Sequence, residues 1–184
     1  MAQLETATLA GGCFWCTEAI FKRLKGVESV TSGYSGGARE NPSYEQVTTG
    51  VTGHAEAIQV EFDPLIISYE KIIEIFFHLH DPTTLNRQGN DEGTQYRSVI
   101  LYHNPEQEQI AEKVKNEVAE SGMYNNPIVT EIVPFENFYL AEEEHQDYYD
   151  TNQNQGYCSY VITPKIQKLL KEYKKEVKEE YLKQ

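Results

Sequence analysis

At 184 residues, 39% of them hydrophobic, the chain is long enough for one domain with a real core and too apolar for a disordered tail. Its net charge of −13 argues against nucleic acid as a partner, which needs a basic footprint. The longest apolar run, Ile72–Leu79, is too short to cross a bilayer, and the first residues lack the basic start and apolar stretch of a secretory leader.

Glu5–Ala10 alternates as a short strand, broken by Gly11 and Gly12. A helix pattern follows, with Cys13, Cys16, Ile20 and Leu24 on one stripe and Gly26 as its stop. Val27–Tyr34 reads as a strand, Ser35–Glu45 as a long loop, and Glu56–Phe62 as an alternating strand that ends at Asp63-Pro64. Ser68 caps a helix over Tyr69–His80. Asp81–Gln95 is a polar loop too long to be idle packing, and Tyr96–His103 is a strand. Asn104 and Pro105 open a helix that Gly122 closes. Pro127–Phe135 is another strand, and an acidic segment, Ala141–Tyr149, precedes Asn154–Ile162. The last helix, set at residues 164–184, carries Ile166, Leu169, Leu170, Tyr173 and Val177 on one face. Its 7 Lys and 4 Glu suit a solvated face better than a binding arm.

Strands and helices alternate irregularly, with long loops. The expectation is an α+β two-layer sandwich with a mixed central sheet and helices packed around it, forming a single domain over residues 1–184. Gly33–Gly37 has neither the spacing nor the following helix of a phosphate loop.

Three cysteines are too few, and odd in number, for a disulfide-built secreted domain. They are expected to be reduced thiols in the cytoplasm. The stretch Gly11-Gly12-Cys13-Phe14-Trp15-Cys16 puts the Cys13 sulfur at a helix N-terminus. Free backbone N–H groups and the helix dipole favour a thiolate there, so Cys13 reads as a reactive, acidified nucleophile rather than a buried small hydrophobe. C-x-x-C also fits a thioredoxin-like redox motif or half of a zinc site. Zinc would need two more ligands, and Cys158 with one histidine completes no known spacing, so no metal is expected. The redox motif usually carries a small, turn-forming pair where this chain has Phe14 and Trp15. That bulky pair looks built to line a cavity.

The stretch from Gly11 to Cys16 resembles the active-site signature of the A-type peptide methionine sulfoxide reductases. So do Ser32–Gly37, Asn41–Val47, Thr52–Glu56, Ile67–Lys71, His80–Thr84, Arg87–Ser98 and Glu142–Tyr149. The likeness runs from about Leu9 to Lys165. It implies an oxidoreductase of protein repair under oxidative stress, acting on the S epimer of methionine sulfoxide, free or in proteins. The resemblance makes Cys13 the nucleophile, and Phe14 and Trp15 the wall that holds the substrate's methyl group. Glu56 becomes the acid that protonates the oxygen, which requires burial to raise its pKa. Tyr44 and Tyr96 become the hydroxyls that hold the oxygen, and Asp91 part of the same pocket. His54 reads as structural and His145 as a supporting residue.

Attack converts Cys13 to a sulfenic acid, which a second thiol resolves as a disulfide. By resemblance the resolver is Cys158, in a mobile, glycine-bearing loop. No cysteine follows Cys158, and many relatives have another residue at Cys16, so Cys16 is left open as resolver, relay or bystander. The implied reductant is thioredoxin, with electrons ultimately from NADPH and no bound cofactor. A monomer is the default. The alternative function is a thiol–disulfide oxidoreductase using Cys13 and Cys16.

Overall fold

A computed structural model describes residues 3–183. In chain order it forms β1 (Glu5–Gly11), α1 (Phe14–Phe21), β2 (Val27–Ser35), α2 (Tyr44–Thr48), β3 (Ala55–Phe62) and α3 (Tyr69–Leu79). A hairpin of β4 (Arg87–Gln88) and β5 (Asp91–Glu92) follows, then β6 (Ser98–Tyr102), α4 (Pro105–Glu120), β7 (Glu131–Pro134), β8 (Tyr139–Leu140) and α5 (Tyr148–Thr151). A π-helical turn, Cys158–Ile162, runs into α6 (Thr163–Glu172).

Six strands form one mixed sheet in the order β7-β6-β1-β3-β2-β8. Only β6 and β7 run parallel; the other neighbours are antiparallel. The two-residue alternation sorts the strand side chains onto two faces. Leu9, Ile58, Val60 and Ile100 join the larger core, with Phe14, Phe21, Ile72, Phe76, Val114 and Leu169 from the helices. Ala10, Ala57, Val99 and Leu101 face the other way, under Val133, Phe135 and Phe138. The expected α+β architecture is therefore the observed one.

The helix starts follow from their caps. Ser68 Oγ accepts from Lys71 N at 3.1 Å, and Asn104 Oδ1 accepts from Gln107 N at 2.9 Å, with Pro105 in the first turn. The same chemistry ends the expected loop early: α2 starts at Tyr44, taking in the last two residues of that loop. Ser43 Oγ accepts from Gln46 N, and the Gln46 side chain accepts from Ser43 N, forming a reciprocal capping box.

Three expectations need correction. The polar loop after α3 is organised by the β4–β5 hairpin and a 3₁₀ turn, Thr94–Tyr96, so Tyr96 precedes its strand instead of opening it. The helix expected over residues 164–184 stops at Glu172, and Gln184 lies outside the described residues. After Glu172 the chain makes two 3₁₀ turns, Lys174–Glu176 and Glu179–Tyr181. Val177 is fully buried, bridged to Leu24, and Lys25 N donates to Glu176 O at 2.7 Å. Burying Val177 against the end of α1 turns the chain back before the helix can continue. Finally, Cys158 lies in the π-turn leading into α6, not in a loop.

Candidate active site

The site is built where β1 hands over to α1. Gly12 has φ +92°, and a Cβ there would lie 2.6 Å from the Gln88 side chain. Glycine thus turns the chain and lets the hairpin lie close to Cys13. Cys13 is the N-cap of α1 and 7% exposed.

Glu56 enters from β3, paired across the sheet with Tyr34 on β2. It is 1% exposed. Its Oε2 accepts a hydrogen bond from Phe14 N at 3.1 Å, which fixes the carboxyl against the first turn of α1. Burial pushes its pKa up to about 8; the negative charges of Asp91 and Cys16 add to this, against the Phe14 N–H. Glu56 is therefore a protonated acid at neutral pH, with one oxygen committed to the backbone and the other free to carry the proton.

Aromatic rings surround this pair. Phe14 is fully buried among Tyr34, Tyr44 and His145, with ring centroids 5.8, 6.5 and 5.5 Å away. Trp15 stacks on Tyr148 at 3.7 Å and meets the edge of Tyr157 at 5.8 Å. Its indole Nε1 donates to His145 Nδ1 at 3.2 Å, so His145 orients Trp15. The Tyr44 hydroxyl is pushed up to about 12 by burial and by the charges of Glu56, Cys13 and Asp91. Burial and the same neighbours also raise the Tyr96 hydroxyl. Both phenols therefore stay protonated and share one electrostatic environment with Cys13 and Glu56. Asp91 accepts a 2.6 Å hydrogen bond from the Tyr157 hydroxyl.

The thiols depart from expectation. The Cys13 pKa is raised, not lowered: burial dominates, reinforced by the Cys16 side chain and the charge of Glu56, and the Trp15 backbone N–H is too weak to offset them. The helix-start rule fails here because the sulfur is out of water and beside an acid. Cys16 behaves in the opposite way. A hydrogen bond from Cys13 lowers it to about 7 despite burial, helped by the Lys165 charge and the Tyr157 hydroxyl, 3.8 Å from its Sγ. Cys158 is fully buried, and burial raises its thiol.

Cys13 also touches a cavity of about 480 Å³ bounded by Gln88, Asp91, Tyr157, Val161 and Lys165. Among the described residues, no three His, Cys, Asp or Glu side chains converge as metal ligands. His54 stands apart, its Nδ1 accepting from Gly37 N at 3.0 Å and its Nε2 donating to Arg39 O at 2.7 Å. That is the structural role expected of it.

Every candidate from the sequence lies in or beside this site, and Cys158 belongs to the same buried core cluster as Cys13 and Cys16. Sequence reasoning missed Tyr34, Glu142, Tyr148 and Tyr157. Glu142 accepts from the Tyr34 hydroxyl and from Tyr44 N, both at 3.1 Å, and so holds the segment bearing Tyr44 in place. The acidic segment around it carried the signal, but nothing in its composition says which carboxylate turns inward.

A family model described as peptide methionine sulfoxide reductase matches residues 5–178. The peptide methionine sulfoxide reductase MsrA of Saccharolobus solfataricus is 58% identical over 175 residues, covering 95% of this chain and 98% of its own. Among solved structures, reduced Mxr1 from Saccharomyces cerevisiae is 37% identical, with a TM-score of 0.80 over 85% of this chain and 90% of its own. Mxr1 in complex with Trx2 is 28% identical, with a TM-score of 0.57 over 79% of this chain and 85% of its own. Sequence identity of this extent and a shared fold lead to one conclusion: the chain belongs to the peptide methionine sulfoxide reductase family.

Proposed function

We propose that this chain reduces the S epimer of methionine sulfoxide, free or in proteins, and is returned to its thiol form by thioredoxin. The buried, protonated Glu56 beside Cys13 carries this reading. A sulfoxide is neutral, and its oxygen leaves only if it gains a proton. Exchange between thiols and disulfides needs no such acid, so the pair disfavours the oxidoreductase alternative.

The chemistry then runs in balance. The Cys13 sulfur attacks the sulfoxide sulfur while Glu56 protonates the oxygen. The Cys13 thiol proton restores Glu56. Methionine leaves, and oxygen remains as the Cys13 sulfenic acid. Because burial keeps Cys13 a thiol in the free protein, attack is coupled to substrate arrival and to the transfer from Glu56. Phe14 and Trp15 provide the wall for the methyl group, and Tyr44 and Tyr96 donate to the oxygen as negative charge develops. Asp91 shapes the same pocket through its bond to Tyr157.

Cys158 resolves the sulfenic acid as a disulfide, which thioredoxin then reduces. The complex of the related Mxr1 with Trx2 supports that partner, and NADPH supplies the electrons to thioredoxin. The three free cysteines suit a reducing cytoplasm. No described helix is long and apolar enough to cross a membrane, and we read residues 1–184 as one catalytic domain acting as a monomer. Dithiothreitol-driven turnover of racemic methionine sulfoxide tests the reading. Consumption of half the racemate is expected; survival of all of it, together with reduction of insulin disulfides, would overturn it.

A further inference from the structure

We propose that Glu18 is a positioning residue for the reduction: by holding the Asp147 backbone it sets the Tyr148 ring against Trp15 and so fixes the width of the methyl pocket. This deepens the reduction described above and rests on it.

The chemistry above leaves Glu18 unused, yet it is 2% exposed. Its neighbours Ala19, Ile20 and Phe21 on α1 are apolar and equally buried. Burying a carboxyl carries a desolvation cost that an apolar residue there would avoid. What the carboxyl adds is an acceptor: its Oε1 takes a hydrogen bond from Asp147 N at 3.0 Å. Trp15 lies three residues earlier on the same face of α1, so both side chains meet the segment from His145 to Tyr148. The indole donates to His145, and its ring lies on Tyr148 at 3.7 Å with the planes 8° apart.

Asp147 is the pivot of that segment. Its φ of +52° and ψ of 28° put it in the left-handed region that disfavours a residue with a Cβ, and such a residue persists only where its surroundings hold it. On one side, the Gln146 side chain accepts from Ser32 N at 2.9 Å and donates to Ser32 O at 2.8 Å, which ties the chain to β2. On the other, Asp150 pairs with Lys22 at 2.7 Å and Arg23 at 2.6 Å, which ties α5 to the end of α1. Lys22 also pairs with the Asp147 side chain, but that carboxylate is 62% exposed, where an ion pair is worth little. The buried bond from Glu18 fixes the backbone between the two ties and aims Tyr148.

Trp15 is partly buried, so the methyl wall gives on its outer side unless Tyr148 backs it. In a fitted hydrophobic pocket one methylene is worth roughly 10–200-fold in discrimination, and that discrimination needs walls that do not move. Burial raises Glu18 to about 7, against the Asp147 N–H, but the bond does not depend on its charge. A carboxylate, a neutral carboxyl and a glutamine amide all present an acceptor oxygen. The role therefore rests on the acceptor and not on the proton.

Dithiothreitol-driven kinetics on the S-sulfoxides of methionine and ethionine, which differ by one methylene, test this. Wild type should favour the methyl substrate by roughly tenfold or more in kcat/KM. Glu18→Gln should keep that ratio. Glu18→Met fills the space without accepting, and should lower the ratio by about fivefold, the worth of one hydrogen bond. Tyr148→Leu removes the positioned ring while leaving α1 unchanged, and should lower it at least as much. Trp15 is the only tryptophan of the chain, so its emission reads the wall without turnover. That emission should shift to the red and be quenched more strongly by acrylamide in Glu18→Met than in wild type or Glu18→Gln. A ratio unchanged in Glu18→Met or in Tyr148→Leu, with both substrates slowed alike, would make Glu18 a fold residue only and overturn the proposal; so would a Glu18→Gln that behaves like Glu18→Met. Failure of wild type to reduce either sulfoxide overturns the reduction itself, while the emission comparison still decides whether Glu18 holds Trp15.

Discussion

Glu56 is an ordinary glutamate until burial and the neighbouring charges of Asp91 and Cys16 hold its proton up to about 8. Loss of general acid catalysis typically costs about 10²–10⁴-fold, so Glu56→Gln should slow single-turnover methionine release by roughly that factor. An unchanged rate would remove its acid role. The wild-type rate should also fall as pH rises through about 8, and that limb should be missing from Glu56→Gln. Little of this was legible locally. Glu56 opens an alternating strand and looks like a surface carboxylate; only the family resemblance marked it, because its acidity comes from residues far along the chain. Cys13 teaches the opposite lesson. Its helix-start position was legible, but the burial of its sulfur beside the Glu56 carboxyl, which raises the thiol against the helix end, was not.

Among the elements, the hairpin and the turn leading into α6 meet over Cys13 through the Tyr157–Asp91 hydrogen bond. Removing it costs about 1 kcal/mol of closure, so Tyr157→Phe should speed alkylation of Cys13 by about fivefold. An unchanged alkylation rate would mean that this contact does not gate the thiol. Gly37 is a second element-scale constraint. A Cβ there would lie 2.4 Å from His54 N, a backbone atom that cannot rotate away. Gly37→Ala should destabilise the fold by roughly 1–3 kcal/mol, read as a lowered denaturant midpoint. Caps made the starts of α3 and α4 readable, and the same Ser-x-x-Gln logic was present at Ser43–Gln46 but lay within a run of turn formers. The end of α6 was not readable, because Val177 continues the helical stripe and only its tertiary partner, Leu24, turns it aside.

For the whole molecule, alternation announced a mixed architecture, but the order β7-β6-β1-β3-β2-β8 depends on long-range pairing that no local pattern encodes. The position of Glu56 inside this fold also couples stability to pH. A carboxyl whose folded pKa is raised keeps its proton while the unfolded chain loses it, so stability falls as pH rises between about 4.5 and about 8. Buried His80, lowered to about 4, acts with the opposite sign up to its unfolded pKa of about 6.5. The melting-temperature difference between wild type and Glu56→Gln isolates the carboxylate; it should move against the wild type across that range and level off above it. A difference independent of pH would mean that Glu56 is not buried as a neutral acid. The most direct measurement is infrared spectroscopy of the C=O stretch of a protonated carboxyl in the reduced protein. Buried Glu18, raised to about 7, contributes its own band; a further component that titrates near 8 and is missing from Glu56→Gln is expected, and a Glu56 ionised throughout the range from about pH 5 upward, as free carboxylates are, would be the contrary result.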